Sequence, residues 1–375
     1  MRGVDPSKFF YWREDVAYKF TEAEIERIWE ATNHAHIIAI EAATDLIKRG
    51  NLERMGIPTA VIPLIEASWN RHDPMVYGRF DMTLDHTGQP KVLEYNADTP
   101  TSLPESSLAQ WFWKEEVREH ADQFNSIHER LVQRWTDVRG GSAQLIHMMC
   151  SSDSMEDLGN LQYMTETALL AGFETKFVCV GDIGVTADGQ FVDADDVPIQ
   201  AMFKLYPWEW IAASEYGGNI ATSKTAYFEP IWKMVLSNKA ILAEMWERYP
   251  GHPVLLPTYY DEGSKIDGNY VKKPYLSREG ANVAILDARG VPIAQTGGEY
   301  DTTKVICQQY CPLQSFPAPE TTGHLGPQEK VYPVIGSWVV GTNSMDGDVS
   351  AGIDIREDVS PITKDTSYFV PHFFI

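Results

Sequence analysis

Within the segment 76–102, residues 76–96 alternate polar and apolar side chains on both sides of a short turn, which predicts a β-hairpin with two chemically different faces. Successive side chains of a strand point to opposite faces. Arg79 and Asp81 therefore share one face of the first strand, and Glu94 and Asn96 share one face of the second. The other face of the hairpin is apolar and must pack on a hydrophobic core. The chain therefore needs a sheet that is covered on one side and charged on the other.

The turn decides which residues face one another across the hairpin. A two-residue turn at residues 87–88, which a glycine at position 88 allows, places Asp81 opposite Glu94. On the apolar face the same register places Met82 opposite Leu93. The remaining pairs in this register are Arg79–Asn96 and Phe80–Tyr95.

Two carboxylates that face each other repel unless a cation lies between them. Oxygen ligands of this kind suit Mg²⁺, which proteins hold through one or two carboxylates together with substrate phosphates. Asn96 would add an amide oxygen, and Arg79 would add a planar donor suited to phosphate. The hairpin thus predicts a metal and phosphate site. The alternative is a solvated hairpin with ordinary cross-strand pairs.

The charge balance excludes several classes of protein. The 375 residues include 31 Lys and Arg against 53 Asp and Glu, a formal net charge of −22. Nucleic-acid binding depends on basic side chains that neutralise phosphates, so this composition argues against it, and equally against an anionic membrane surface. Apolar residues make up 43% and aromatic residues 11%, which indicates a folded protein. The acidity is either solvated surface or, in part, a site for amines or divalent metals.

Cysteine content and hydropathy bear on the compartment. Four cysteines are too few for a disulfide framework in a chain of this length. No apolar run approaches the roughly 20 residues of a membrane-spanning helix. The first residues carry charges where a signal peptide has its apolar core. We therefore expect a cytoplasmic protein with reduced thiols.

The pattern along the chain predicts a mixed α/β fold. The clearest helix begins at a capping box formed by Thr21 and Glu24 and ends at Gly50. A strand, a helix and a second strand over 144–180 predict a βαβ unit. The Pro-rich segment 312–333 is predicted to be a surface insertion. Further helices are expected over 104–135 and 228–247, and further strands over 269–275, 282–287, 304–310 and 331–340.

Basic residues are scarce, and a few of them stand in suggestive places. Lys239 lies in a helical segment, and Lys273 lies on a strand that is followed by a loop with Arg278 and Gly280. Such a loop can fold its backbone donors over phosphates. The chain has neither a P-loop nor a GxGxxG fingerprint. Taken alone, an ordinary surface hairpin explains this segment equally well, and Arg356 in the last 24 residues reads as a surface residue.

Several strings, taken in order, carry a family resemblance. They are RFDM (79–82), LEYNADTPTSLPE (93–105), SMEDLGN (154–160), SNKA (237–240), VKKPYLSREGANV (271–283), GSWVVG (336–341) and IREDVSPITKDTSYFVPH (355–372). The chain resembles the synthetase domain of the glutathionylspermidine synthase family from about residue 10 to residue 372. The resemblance implies an α/β (mixed α+β) chain with an ATP-grasp-like nucleotide-binding fold and an inserted βαβ pre-ATP-grasp-like unit. It implies one synthetase unit over 1–375, with a substrate-side subdomain at 140–215 and an ATP-grasp-like subdomain at 220–375 that the 76–102 hairpin completes.

The resemblance also implies the chemistry. Such enzymes phosphorylate a substrate carboxylate with ATP and capture the acyl phosphate with an amine, which gives an amide. Arg79 would be the catalytic residue that stabilises the transferring phosphoryl group. Asp81, Glu94 and Asn96 would hold two Mg²⁺ ions. The residues that would bind ATP are Arg79, Lys239, Lys273, Arg278, Gly280, Gln308, Gln309, Tyr310 and Ile362. The residues that would bind the acid or the amine are Thr99, Glu156, Asp157 and Arg356.

The chain also departs from the family pattern. Bifunctional members carry an amidase domain, for which this length leaves no room, so hydrolysis of the amide is not expected. Thr99 and Thr101 replace serines, and the acidic pair Glu156–Asp157 replaces two glutamates. These changes fall on the substrate side, so the identity of the acid and of the amine stays open. The alternatives are a catalytically silent nucleotide-binding protein of the same fold and a carbohydrate-active hydrolase.

Overall fold

The computed structural model describes residues 11–139, 145–318, 329–344, 347–364 and 366–375. In these residues the α-helices are α1 (Glu22–Arg49), α2 (Ile62–Asn70), α3 (Gln110–Val117), α4 (Ile127–Arg139), α5 (Met155–Leu170), α6 (Trp208–Ala213), α7 (Met234–Ser237) and α8 (Ile241–Arg248). A π-helical turn covers Pro104–Ala109. No helix within these ranges is both long enough and apolar enough to traverse a lipid bilayer.

The strands follow the chain from the first described residues to the last. They are β1 (Tyr18–Phe20), β2 (Tyr77–Leu84), β3 (Pro90–Asn96), β4 (Leu145–Cys150), β5 (Glu174–Cys179), β6 (Gly184–Val185), β7 (Phe191–Val192), β8 (Ala201–Leu205), β9 (Ala226–Phe228), β10 (Thr258–Tyr260), β11 (Tyr270–Pro274), β12 (Ala284–Leu286), β13 (Pro292–Gln295), β14 (Val305–Gln309), β15 (Phe316–Pro317), β16 (Lys330–Val340), β17 (Ser350–Asp358), β18 (Tyr368–Val370) and β19 (His372–Phe374).

Three sheets position the rest of the molecule. The central sheet is antiparallel with the strand order β18-β17-β16-β2-β3. The second sheet is parallel with the order β5-β4-β8-β9 and contains the predicted βαβ unit. The third is antiparallel with the order β10-β14-β11-β12-β13. The predicted mixed α/β class and the strands of the third sheet are thus confirmed.

Helix α1 covers the apolar face of the central sheet. Its capping box is formed as predicted, because the Thr21 hydroxyl accepts the Glu24 amide and the Glu24 carboxylate accepts the Thr21 amide. Gly50 ends the helix in the left-handed conformation, at φ 64°. The buried face of α1 packs in one core with Phe80 and Met82 of β2. The charged face of the sheet therefore points away from α1.

The hairpin register is right over its polar half and wrong at one apolar pair. Asp81 faces Glu94 as expected, but Met82 faces Val92 and not Leu93. The turn runs over residues 85–89, because the Asp85 carboxylate accepts amides within it, and the odd residue is absorbed as a β-bulge. The remaining predicted pairs, Arg79–Asn96 and Phe80–Tyr95, are present. Every residue of β2 is buried, so the solvated-hairpin alternative is wrong.

The helix expected over 104–135 is interrupted. The chain leaves the helical conformation at Arg118, where φ is −139° and ψ is 45°. Over the next residues the backbone bonds to the sheets: the Asp122 amide donates to the Phe374 carbonyl and the Ser126 amide to the Ala351 carbonyl. Tertiary hydrogen bonds therefore override the helical pattern in this segment.

The helix expected over 228–247 is also interrupted. Asn238 leaves the helical conformation at ψ 124°. Its side chain accepts the Ala240 amide at 2.9 Å and donates to the Met55 carbonyl at 2.9 Å. Because of this break the Lys239 amide is free to donate to the Tyr275 carbonyl at 2.9 Å, next to the third sheet.

In the C-terminal third, one prediction is wrong and another stays a prediction. Residues 350–358 form β17, which lies between β16 and β18 of the central sheet, and the Arg356 side chain is only 16% exposed, so the expectation that Arg356 is a surface residue is wrong. In the Pro-rich segment, Phe316 and Pro317 pair with β16. Residues 319–328 of that segment lie outside the described residues, and its surface-insertion role stays a prediction.

A fully buried ion pair fixes the start of β2. Lys233 Nζ lies 2.6 Å from Glu229 Oε2, and both side chains are wholly inaccessible to solvent. The Glu229 carboxylate also accepts the backbone amides of Val76 and Tyr77 at 2.9 Å, and Lys233 donates to the Tyr77 carbonyl. Loss of one partner would leave an uncompensated charge in the core.

We expect Lys233→Met to lower the free energy of unfolding by about 3–5 kcal/mol, because the Glu229 charge loses its partner inside the protein. Urea denaturation followed by circular dichroism measures this loss. The matched control is Lys265→Met, which breaks the exposed pair with Glu262 and should cost less than about 1 kcal/mol. Equal effects of the two substitutions would contradict the assignment of the buried pair as the anchor of β2.

Candidate active site

A cleft with a cavity volume of about 310 Å³ opens on the charged face of the central sheet. Its walls come from β2, β3 and β17 of that sheet, from the start of α5, and from β11, β12 and β14 of the third sheet. Every predicted site residue lines this cleft except Lys239, which borders an adjoining pocket. The residues in the cleft are Arg79, Asp81, Glu94, Asn96, Thr99, Glu156, Asp157, Lys273, Arg278, Gly280, Gln308, Gln309, Tyr310, Arg356 and Ile362.

Asp81 lies at the centre of the floor and is held by two guanidinium groups. Arg79 Nε donates to Asp81 Oδ1 at 2.9 Å, and Arg356 Nη2 donates to Asp81 Oδ2 at 2.5 Å. Arg79 is further fixed by a bond of 2.6 Å from Nη1 to the Thr101 carbonyl and by the Trp338 ring beneath its guanidinium. Arg79 and Asp81 are 5% and 6% exposed, so these charge-assisted bonds are little screened by water.

Glu94, the second predicted metal ligand, lies beside two lysines. Lys239 Nζ is 3.2 Å from Glu94 Oε2, and the Asn96 side chain donates to Glu94 Oε1 at 3.2 Å. Burial alone would raise the pKa of Glu94, but Lys239 and Lys273 outweigh it and hold that pKa well below its usual range. Glu94 is therefore an anion over the whole neutral pH range.

The two lysines are buried and held mostly by neutral oxygens. Lys273 Nζ donates to the Leu93 carbonyl and to Gln308 Oε1, both at 2.8 Å. Lys239 Nζ donates to the Ser277 carbonyl at 2.5 Å. Burial lowers the pKa of Lys273 to about 8, and the neighbouring Lys239 adds to this effect while Glu94 opposes it. Each ammonium group has two partners among the described residues, which leaves a third N–H that can donate to a polyanion.

An apolar wall closes the cleft beyond the lysines. It consists of Leu93, which the β-bulge exposes to the cleft, and of Val271, Val283, Ile285 and Ile362. Gln309 and Tyr310 lie at its edge on β14 and just after it. A planar apolar group such as a nucleobase suits a wall of this kind. Gln308 is already occupied, since its amide bonds to Lys273 and to the Val92 carbonyl.

The loop after β11 folds back over the cleft. Arg278 Nη2 donates to Glu209 Oε1 at 2.5 Å, and Nη1 donates to the Thr99 hydroxyl at 3.2 Å. Gly280 has φ 67°, and a Cβ there would lie 2.4 Å from the Thr363 carbonyl oxygen. Only glycine therefore lets the loop approach this closely.

The opposite end of the cleft is acidic. Glu156 and Asp157 lie in the first turn of α5, and Ser154 caps that helix by accepting the Asp157 amide at 3.1 Å. Burial and the nearby Glu156 raise the pKa of Asp157 to about 6. Tyr11 donates to Glu105 Oε1 at 2.9 Å and also lines this end. A cationic amine would relieve the crowding of these carboxylates.

Sequence reasoning missed several groups that shape the site. Asp98 forms a buried pair with Lys204 at 2.5 Å and accepts the Trp208 amide, which ties the loop carrying Thr99 to the parallel sheet. Glu209 binds Arg278 from α6. Asp354 lies on β17, two residues before Arg356 and so on the same face of the sheet. That alternation was readable in the sequence, whereas the Asp98 and Glu209 contacts join distant segments and gave no local signal.

The donor set suits a divalent cation, although the acidic oxygens are now engaged by cations of the protein. Asp81 and Glu94 face each other on adjacent strands with Asn96 beside them. Among the described residues, no three His, Cys, Asp or Glu side chains already converge as a metal site. Asp354 nevertheless has two buried oxygens without a hydrogen-bond partner, which indicates that the charges on this floor are balanced for an additional positive group.

Comparison with known proteins places the chain in a family. The family model described as "Glutathionylspermidine synthase preATP-grasp" matches residues 3–375. A putative acid–amine ligase of Haemophilus influenzae is 42% identical over 377 residues, covering 97% of this chain and 91% of that protein. The bifunctional glutathionylspermidine synthetase/amidase of Escherichia coli is 26% identical, and the match covers 92% of this chain and 58% of that protein. The trypanothione synthetase of Crithidia fasciculata is 28% identical, over 88% of this chain and 52% of that protein.

Solved structures agree on the fold. A glutathione synthetase-like effector from Globodera pallida superposes with a TM-score of 0.59 at 11% identity, covering 95% of this chain and 89% of that one. A putative γ-glutamylcysteine synthetase from Methylobacillus flagellatus gives a TM-score of 0.50 at 9% identity, covering 88% and 86%. This likeness shows an ATP-grasp-related α/β fold. Because the family model matches residues 3–375 of this chain, the chain belongs to the glutathionylspermidine synthase family and is related to carbon–nitrogen ligases.

Proposed function

We propose that this protein is an ATP- and Mg²⁺-dependent ligase that joins a carboxylic acid to an amine through an acyl phosphate. The observation that carries the proposal is the convergence of opposed carboxylates, Arg79 and Lys273 in one cleft with an acidic far end. Lys239 reaches the same carboxylates from the adjoining pocket, 3.2 Å from Glu94. A polyanionic nucleotide fits the lysine end and a cationic amine fits the acidic end. The relatives named as acid–amine ligase and glutathionylspermidine synthetase support the same class of reaction.

In the proposed first step a carboxylate oxygen of the acid attacks the γ-phosphorus of ATP, and ADP leaves. Lys239 and Lys273 would bind the phosphates, the apolar wall would hold the base, and Arg79 would stabilise charge on the transferring phosphoryl oxygens. Asp81, Glu94 and Asn96 would hold two Mg²⁺ ions, whose charge would offset that of the phosphates. Arg278 and Gly280 would close the loop over the nucleotide.

In the second step the amine nitrogen attacks the acyl carbon, phosphate leaves, and the nitrogen releases its proton to give the amide. Thr99 and Arg356 would contact the acid, together with Glu156. Asp157 would bind an ammonium group of the amine substrate other than the attacking nitrogen, because its partly buried carboxylate forms no ion pair within the described residues. Arg278 is the cation that lowers the pKa of Asp157. A peptide-like carboxylate and a polyamine or another amine are the proposed substrates.

The two alternatives explain less of the site. A glycoside hydrolase would use a pair of carboxyl groups, but it would give Lys239, Lys273 and the loop with Arg278 no task. A catalytically silent protein would have no need to keep every proposed metal and phosphate residue. We further propose that residues 140–215 form the substrate side and 220–375 with the 76–102 hairpin the nucleotide side, and that the protein acts in the cytoplasm on small molecules.

Mg-ATP should raise the melting temperature of the wild-type protein, because a ligand that binds only the native state stabilises it by about 2.7 kcal/mol at a hundredfold excess over its Kd. Differential scanning fluorimetry with a non-hydrolysable ATP analogue and Mg²⁺ measures the shift. Asp81→Asn should abolish the Mg²⁺-dependent part of it. An unshifted wild-type protein would refute nucleotide binding.

Nucleotide affinity should fall as the pH rises through about 8, because Lys273 binds phosphate only as the ammonium ion and its pKa is about 8 before nucleotide binds. Calorimetric titration with the same analogue between about pH 7 and pH 10.5 covers the range between this pKa and that of an ordinary lysine. Lys273→Arg should flatten the profile, since a guanidinium keeps its proton there. Identical slopes for both proteins would contradict the role of Lys273.

ADP release should require an acid and an amine together. The experiment is a screen of acid–amine pairs by coupled ADP detection, with the product mass read directly. The expected mass is that of acid plus amine less one water. Glu94→Gln should retain the fold and lose turnover. If the amine does not affect ADP release and only free acid is recovered, the protein is an ATPase and the ligase proposal is wrong.

A further inference from the structure

Asp354 is a buried carboxylate that the proposed reaction has not used. It is 2% exposed, and neither of its oxygens has a hydrogen-bond partner among the described residues. A buried charge without hydrogen bonds is costly to keep. Burial raises the pKa of Asp354 to about 6, while Arg79 and Arg356 act in the opposite direction. The carboxylate therefore lies close to both arginines that hold Asp81, without bonding to either.

Gly336 makes this placement possible. In the sheet register Gly336 lies between Asp81 on β2 and Asp354 on β17, so all three residues share the charged face. A Cβ at Gly336 would be 1.9 Å from Asp354 Oδ1 and 2.9 Å from Arg79 Cδ. The missing side chain thus leaves a gap over β16 that the Asp354 carboxylate and the Arg79 side chain share.

A buried donor near Asp354, the Nε of Arg356, also lacks a hydrogen-bond partner among the described residues. Arg356 uses Nη2 on Asp81, but its buried Nε has no hydrogen-bond partner within the described part of the chain. Asp354 and Arg356 are two residues apart on one strand and point to the same side. A buried donor and a buried acceptor that are both unsatisfied and adjacent indicate a second arrangement in which they bond.

Metal binding at Asp81 requires such a second arrangement. Both oxygens of Asp81 are taken by guanidinium groups in the present structure. A divalent cation on the same oxygens would displace Arg79 Nε and Arg356 Nη2 and would repel both guanidinium groups. The displaced donors need an anion within reach. Asp354 interacts with both arginines, and neither of its oxygens has a hydrogen-bond partner among the described residues.

We propose that Asp354 is a positioning residue. It accepts the hydrogen bonds of Arg79 and Arg356 when Asp81 binds the metal. The inference rests on the proposed metal-dependent function and adds a carboxylate exchange to it: the arginines move from Asp81 to Asp354, and their charge stays beside the phosphate site. Asp354 thereby sets how readily the site accepts the metal, without ligating it.

The test is metal binding by the full chain with Asp354→Asn, using Mn²⁺ as the probe and electron paramagnetic resonance of the free ion as the readout. Mn²⁺ affinity should fall by about 10- to 100-fold, the loss that outer-sphere partners of a metal site show. Thermal unfolding without metal should leave Asp354→Asn at least as stable as wild type, because an unpaired buried charge has been removed. The matched control is Asp358→Asn on the same strand, whose carboxylate is hydrogen-bonded by Ser360 and Ser367, and it should bind Mn²⁺ as wild type does.

A second variant separates positioning from direct ligation. Arg356→Met frees Asp81 Oδ2, so this protein should bind Mn²⁺ at least as tightly as wild type. In the Arg356→Met background, Asp354→Asn should cause a smaller loss of Mn²⁺ affinity, because Asp354 then has only Arg79 to bond to. An undiminished loss in the double variant would make Asp354 a ligand and overturn the proposal, as would wild-type affinity in Asp354→Asn. A wild-type protein that binds no Mn²⁺, alone or with the ATP analogue, would refute the proposed function itself.

Discussion

The ion pairs that join Asp81 to Arg79 and Arg356 organise the whole site. Arg79 bonds to Asp81 within β2 at 2.9 Å, and Arg356 on β17 reaches Asp81 across β16 at 2.5 Å. Both bonds lie in a region from which water is largely excluded. Buried charges on one face of a sheet are costly unless opposite charges lie beside them, and here two arginines flank Asp81. The central sheet can therefore bury its charged face as well as its apolar one, and the second and third sheets can close over it to form the cleft.

The site is distributed over elements that are distant in the sequence but adjacent in the sheets. The central sheet supplies the carboxylates and the arginines, the third sheet supplies Lys273 and the apolar wall, and the parallel sheet presents the acidic first turn of α5. Buried ion pairs hold these parts in place: Glu229–Lys233 fixes the start of β2, and Asp98–Lys204 fixes the loop of Thr99. The residues proposed to act on substrates are thus carried by rigid strands more than by free loops.

The sequence predicted the polar half of this arrangement well because strand alternation is a short-range rule. Asp81 and Glu94 could be placed opposite each other from a hairpin alone. The β-bulge at Leu93 could not, because it depends on how Asp85 folds the turn. The interruptions at Arg118 and Asn238 were missed for a related reason: bonds to β17, β19 and Met55 decide them, and those partners lie far away in the chain. Asp354 was missed because its importance comes from what it lacks, a partner, which only the packed structure reveals.

The break at Asn238 has a mechanical consequence. The Lys239 amide bonds to the Tyr275 carbonyl, and its ammonium group bonds to the Ser277 carbonyl, immediately after the strand that carries Lys273. Both phosphate-binding candidates and the loop with Arg278 are therefore coupled through one stretch of backbone. Both ammonium groups also bond to β3, Lys239 to the Glu94 carboxylate and Lys273 to the Leu93 carbonyl. The shared backbone therefore sets the spacing between the two cations, and the pairing of β3 with β2 sets their distance to Asp81.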